Sequence, residues 1–216
     1  CDFVEEAVYL SKQLAAPVLV QWSREDDIRH DYYHAVSAQH LEAGLDGSGA
    51  VTAWRHRAAY PSIMSTFDSA VREAALMETG MGAVNVPYAI PNLRFEVGPA
   101  DAKVRIGWLR SVCHVFHSFA VNCFSDEIAQ ARGVDPRDNL LQLLGPDRTI
   151  DVAALGLEAT ENYPFETARL RHVIELVSER AGWGRELPPG HGLGIAAQYS
   201  FLSYIAAVVE VEVNAR

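Results

Sequence analysis

Arg110 stands in Gly107-Trp108-Leu109-Arg110-Ser111, directly ahead of an apolar run with helical spacing. A guanidinium fork beside the unpaired amides of a first helical turn can hold a phosphate or a carboxylate. The simpler alternative is an arginine paired to a surface carboxylate, and the local sequence leaves both open. Cys113, His114 and His117 follow at once, and imidazoles three residues apart at a helix start can share a metal. No carboxylate closes that cluster locally, so histidines satisfied at a helix end account for it equally. His30, His34 and His40 share a segment with Asp26, Asp27 and Asp31, which are also metal-ligand types. If that segment is mostly strand, His34 and His40 share a face but lie far apart, and the acidic residues belong to a polar turn. Ser200 and Ser203 lack a Gly-x-Ser-x-Gly elbow, which argues against a serine hydrolase. Gly190-His191-Gly192-Leu193-Gly194 has the look of a phosphate cradle. It carries no P-loop lysine, however, and leads into a strand rather than a helix, so a turn entering a strand explains it better.

The elements that would position these residues can be read from spacing. Phe3, Ala7, Leu10 and Leu14 mark an amphipathic helix over 3–14, which Pro17 ends, and Val18 to Trp22 has the composition of a buried strand. Residues 36–45 and 50–58 flank Asp46-Gly47-Ser48-Gly49 as a β-hairpin. Ser62 is placed to cap a helix reaching Met77, with Gly80 and Gly82 breaking it. The stretch to residue 114, with Pro87, Pro91 and Pro99, reads as extended chain and loops where a site could be built. A helix over 116–131 ends at Gly133, and Asp135-Pro136 starts another through Leu144. Leu170, Val173, Ile174 and Val177 form one stripe of a helix over 165–181, and residues 193–213 turn β-rich, ending in the alternation Val209-Glu210-Val211-Glu212-Val213. A helix without lead-in and a strand without exit suggest a piece of a longer polypeptide.

The 216 residues are 49% hydrophobic and 21% charged, an ordinary globular balance. With 18 basic against 28 acidic residues the net charge is -10, which repels phosphate backbones and makes nucleic acid an unsuitable partner. No stretch approaches the roughly 20 apolar residues that cross a bilayer, and no signal-peptide pattern is visible. Cys1, Cys113 and Cys123 form no CxxC pair and indicate neither a disulfide framework nor a zinc site.

Several segments in order resemble the molybdenum hydroxylases, the xanthine dehydrogenase and aldehyde oxidase family, most closely the beta subunit of isoquinoline 1-oxidoreductase-like enzymes. They are Ala16-Pro17-Val18 through Trp22 to Asp31, Ala53-Trp54-Arg55-His56-Arg57, Pro61-Ser62-Ile63, Pro87-Tyr88, Ile90-Pro91-Asn92, Trp108 to Val112, Asp126 to Ala129, Gly133 to Pro136, Ala181 to Gly184 and Gly192 to Ala196. The resemblance implies an α+β fold with a mixed sheet and packed helices. Residues 1–216 would form part of a molybdopterin-binding domain without an internal boundary. It implies a molybdopterin cofactor in the complete enzyme, an iron-sulfur subunit as partner, and an aldehyde or N-heterocycle as substrate, hydroxylated with oxygen from water. Arg110, Ser111, Val112, Cys113 and His114 would contribute to the cofactor or substrate wall. Cys113 stands where the related enzymes usually have glycine, and Phe116 replaces a frequent polar residue. The family's glycine-rich Gly-Gly-Phe-Gly loop would precede Cys1, and its catalytic glutamate would follow Arg216. The fragment alone is therefore expected to hold no cofactor and to be inactive. A binding or assembly module on the same fold is the alternative, with a small hydrolase using a metal at His114 and His117 as a third reading.

Overall fold

The computed structural model describes residues 2–158 and 162–214. The chain divides into two compact units, Cys1–Tyr33 and His34–Arg216.

In the first unit the amphipathic spacing produces helix α1 (Asp2–Leu14), and a second helix, α2 (Arg24–His30), starts at a capping box. Ser23 Oγ accepts from the Asp26 amide at 3.2 Å while Asp26 Oδ2 accepts from the Ser23 amide, so two otherwise unpaired donors are satisfied. Val18 to Trp22 is not the strand its composition suggests. Val18, Val20 and Trp22 are half-buried and Leu19 is exposed, so the alternation is real, but no strand among the described residues pairs with this backbone. The segment is tied down by a side chain instead, the Trp22 indole donating to Glu6 Oε2 at 2.9 Å.

The second unit opens with the expected hairpin, β1 (Ala38–Leu45) and β2 (Val51–Tyr60). At its turn Asp46 Oδ1 accepts from the amides of Ser48 and Ala50, and Gly49 takes the left-handed φ of 82° that closes the reversal. Strand β3 (Asn92–Pro99) joins the other edge of β2 in parallel, which makes the sheet mixed. The crossover between them departs from the helix expected from Ser62 to Met77. Ser62 does cap, its hydroxyl accepting from the Met64 amide, but only a single 3-10 turn, Ile63–Thr66, follows. The chain then loops back to a four-residue helix, α3 (Leu76–Thr79), because the Glu78 carboxylate accepts from Ser62 Oγ, the Ile63 amide and the Ala75 amide. That tertiary anchor outweighs the local helical pattern.

Helices α4 (His114–Arg132) and α5 (Pro136–Leu144) end and start where their caps dictate. Gly133 sits at φ 64°, and Asp135 Oδ1 accepts from the Arg137 amide at 2.9 Å. The last long helix begins later than its apolar stripe suggests. Phe165–Glu166 (β5) first pairs with Thr149–Ile150 (β4), and α6 runs over Thr167–Ala181. The β-rich tail is a second hairpin, β6 (His191–Ser200) and β7 (Ser203–Glu212). Its two-residue loop places Phe201 and Leu202 at φ 46° and 63°, the positive values that such loops require of both central residues. Trp54, Tyr88, Val121, Ile128, Leu144 and Ile174 form the core between the mixed sheet and α4, α5 and α6, with Ile195 and Tyr204 of the tail hairpin packed against it. The α+β fold with mixed sheet and packed helices is thus the one observed.

Candidate functional site

The turn ahead of α4 is held in an unusual backbone. Ser111 and Val112 have φ of 71° and 43°, two consecutive side-chain-bearing residues in the left-handed region, each disfavoured by about 1–3 kcal/mol. Two turn bonds hold them there, Val112 amide to Leu109 carbonyl at 3.1 Å and His114 amide to Ser111 carbonyl at 2.9 Å. Arg110 is exposed and, among the described residues, forms no ion pair, so the surface-pair alternative is not what holds it. The amides of Arg110, Ser111 and Cys113 likewise donate to no main-chain carbonyl among the described residues. The Arg110 guanidinium and the amides beside it are thus donors of the kind that an anion such as a phosphate takes.

The five residues from Arg110 to His114 separate by depth. Cys113 is buried with its sulfur 4.0 Å from Glu78 Oε1, and burial pushes the thiol up to about 12, so it stays protonated. His117 turns into the protein beside Tyr60, His56 and Phe116, its Nδ1 3.2 Å from the Met81 carbonyl. Burial drives its imidazole down to about 3 and that of His56 to about 4. His114 faces another way and lines a cavity of about 720 Å³. The Cys113, His114 and His117 cluster considered from spacing alone is therefore not assembled. Among the described residues no three His, Cys, Asp or Glu side chains converge as metal ligands, and His40 pairs with Glu42 on the sheet at 3.6 Å.

The cavity draws on four distant parts of the chain. One wall is aromatic, Phe165 and Tyr199 stacking at 3.9 Å between centroids with planes 12° apart. Phe201 meets His114 edge-on at 5.3 Å, so the strained hairpin loop and the strained turn before α4 come together at one side of the cavity. Asp151 and Glu158 supply carboxylates, and no lysine or arginine is among the described lining residues. The chamber therefore suits a neutral, largely apolar molecule better than an anion. Nothing in the spacing of residues indicated that Phe165, Tyr199 and Phe201 would join His114. Phe201-Leu202 lacks the glycine or asparagine that flags a tight hairpin, and the other pair becomes visible only through long-range pairing. No helix among the described residues is long and apolar enough to cross a membrane.

One of the subunits of nicotinate dehydrogenase from Pseudomonas putida is 30% identical over 169 residues, 76% of this chain and 14% of that protein. The membrane-bound aldehyde dehydrogenase (pyrroloquinoline-quinone) of Gluconacetobacter polyoxogenes is 29% identical over 211 residues, 90% of this chain and 26% of that one. The beta subunit of isoquinoline 1-oxidoreductase from Brevundimonas diminuta is 24% identical, with 97% of this chain and 25% of that protein covered. The chain thus spans between 14% and 26% of the length of these curated relatives. In fold it is similar to quinoline 2-oxidoreductase from Pseudomonas putida 86, at a TM-score of 0.57 and 18% identity over 88% of this chain and 25% of that one. The aldehyde oxidoreductase of Desulfovibrio gigas gives 0.55 and 16% over 82% and 19%. Residues 5–139, more than half of the sequence and including the Arg110 turn and α4, match one family, and the chain belongs to it: the molybdopterin cofactor-binding domains of the molybdenum hydroxylases.

Proposed function

We propose that this chain is the part of a molybdopterin-dependent oxidoreductase that holds the anionic end of the cofactor on the Arg110 to Cys113 turn. It receives the substrate, an aldehyde or an N-heterocycle, in the cavity beside His114. The observation that carries this reading is the junction of the two features: an unpaired guanidinium with three free amides leads, through two strained residues, directly into the imidazole that lines the cavity. Strain of that kind persists only where surrounding structure enforces it, and it concentrates at sites that bind. When bound, the cofactor would supply the redox centre for hydroxylation with water-derived oxygen, with an iron-sulfur partner subunit as the electron acceptor.

The chain's own residues bind and exclude. The Arg110 fork and the amides beside it neutralise a phosphate in a fixed orientation. The Phe165 and Tyr199 wall keeps water from a bound ring, and the Asp151 and Glu158 carboxylates disfavour anionic substrates in favour of neutral ones. None of the 28 acidic residues matches the family's catalytic glutamate, so the proton acceptor comes from elsewhere in a protein of its relatives' length. The chain alone turns over neither substrate class. In the complete enzyme, Arg110→Ala is expected to lower kcat/KM or molybdenum content by at least about tenfold, equivalent to about 1.4 kcal/mol, with thermal unfolding unchanged. Steady-state kinetics and elemental analysis on the same preparation test this, and wild-type values for both overturn it.

A further inference from the structure

Gly82 and two residues of the tail hairpin, Gln198 and Phe201, surround a single imidazole and set its protonation pattern. Gln198 Nε2 on β6 lies 3.4 Å from His114 Nδ1, and an amide NH2 can only donate, so Nδ1 is the acceptor. A neutral imidazole has one N–H, which then belongs to Nε2. Burial drives the ring down to about 4, so it is neutral at physiological pH. Gly82 makes the approach of Gln198 possible. It sits at φ +98°, and a Cβ there would stand 2.6 Å from Gln198 Nε2 and 3.4 Å from His114 Nδ1. Phe201 packs edge-on against the same ring at 5.3 Å and closes off its rotation. The ring is only 6% exposed, and it lines the cavity.

We infer that His114 is a specificity-determining residue, donating its Nε2–H to the in-plane lone pair of a neutral planar molecule in the cavity, with Gln198 and Gly82 as the positioning residues that fix its tautomer. This rests on the reading of the cavity as the substrate site. It also supplies what aldehydes and N-heterocycles have in common, since a carbonyl oxygen and a pyridine-type ring nitrogen both offer an in-plane lone pair beside an electrophilic carbon. A neutral N–H suits that task better than an imidazolium, because it recognises the acceptor without giving up a proton to it. Displacing Nδ1 from Gln198 would let the N–H move to the other nitrogen and turn the donor into an acceptor.

The test uses the 216-residue chain with 15N-labelled histidine near neutral pH, and quinoline with its carbocyclic isostere naphthalene as probes. Long-range proton–nitrogen spectra are expected to show His114 as the Nε2–H tautomer. Quinoline should bind at least about tenfold more tightly than naphthalene and shift the His114 nitrogen signals. His114→Phe keeps a ring against Phe201 and removes the N–H, so it should equalise the two probes. Gln198→Met should mix the two tautomers and narrow the ratio, a change that altered packing alone would not produce; it also carries the test if the His114 variant does not fold. Equal binding of both probes to the wild-type chain, retained discrimination in His114→Phe, or an Nδ1–H tautomer overturns the role of His114 while leaving the cavity reading in place. Failure of both probes to bind overturns the cavity reading and this inference with it.

Discussion

The carboxylate of Glu78 lies fully buried among neutral donors: Ser62 Oγ at 2.7 Å, the Ile63 amide and the Ala75 amide at 2.8 Å each, and the Cys113 thiol at 4.0 Å. It joins the 3-10 turn, α3 and the residue that precedes α4, and so fixes the turn on which Arg110 sits. Removing it strands several buried donors at once. Glu78→Ala is therefore expected to cost about 2–5 kcal/mol of unfolding free energy, against about 1 kcal/mol for Ser62→Ala, which loses one partner. Chemical denaturation of both variants tests the order, and equal small losses would show that the carboxylate is not the anchor. Nothing in Leu76-Met77-Glu78-Thr79 marks that role, because its donors are main-chain amides, a serine 16 residues away and the more distant Cys113 thiol. Arg110 could be singled out from the sequence by contrast, since it sits in Trp108 to Val112, a segment whose order along the chain carries the family resemblance, and His114 only by its place in the run that follows. What approaches His114 could not be read, because Gly82, after α3, and Gln198, on β6, meet it only in the folded chain.

At the scale of elements, α6 shows which signals survive folding. Leu170 and Ile174 are 2% and 1% exposed, Val173 and Val177 are half-buried, and the stripe lies against the core as its 3.6-residue period requires. Ile174→Ala is expected to destabilise the chain by about 2–5 kcal/mol, the range for emptying a packed aliphatic site. A change below about 1 kcal/mol in the same denaturation measurement would mean that the site is loosely packed. Elements bounded by their own caps were readable in the same way: Asp135-Pro136 and Gly133 set the ends of α5 and α4, and Asp46 to Gly49 sets the β1–β2 turn. Elements decided by distant partners were not. Val18 to Trp22 has strand composition but no strand beside it, and Ser62 begins a helix that Glu78 folds back after one turn. Phe165 carries helical spacing yet pairs with Ile150 before α6 begins.

Across the whole molecule, buried imidazoles tie stability to pH. His56, His114 and His117 are 1%, 6% and 0% exposed, and burial lowers them to about 4, about 4 and about 3 from an ordinary 6.5, with the neighbouring His56 adding to the shift at His117. Above 6.5 all three are neutral in both the folded and the unfolded chain, so they leave the pH dependence flat. Below it the unfolded chain takes up protons that the folded chain refuses, and folding loses about 1.4 kcal/mol per pH unit for each such group. The loss continues down to the folded values near 4 and near 3, where the folded form protonates as well. The surface carboxylates held low by arginines, Glu42 by Arg55 and Glu96 by Arg57, act only further down, because their stabilisation is lost as they protonate below the ordinary carboxylate value of 4.5. Unfolding free energy measured between neutrality and about pH 5 should therefore fall steeply before Glu42 and Glu96 titrate. His117→Gln, which cannot take up a proton, should start less stable at neutral pH because it disturbs the Met81 contact, yet its slope should be shallower by about 1.4 kcal/mol per pH unit. A wild-type profile that stays flat over that interval, or a variant profile parallel to it, would show that the buried ring is not what couples this fold to protons.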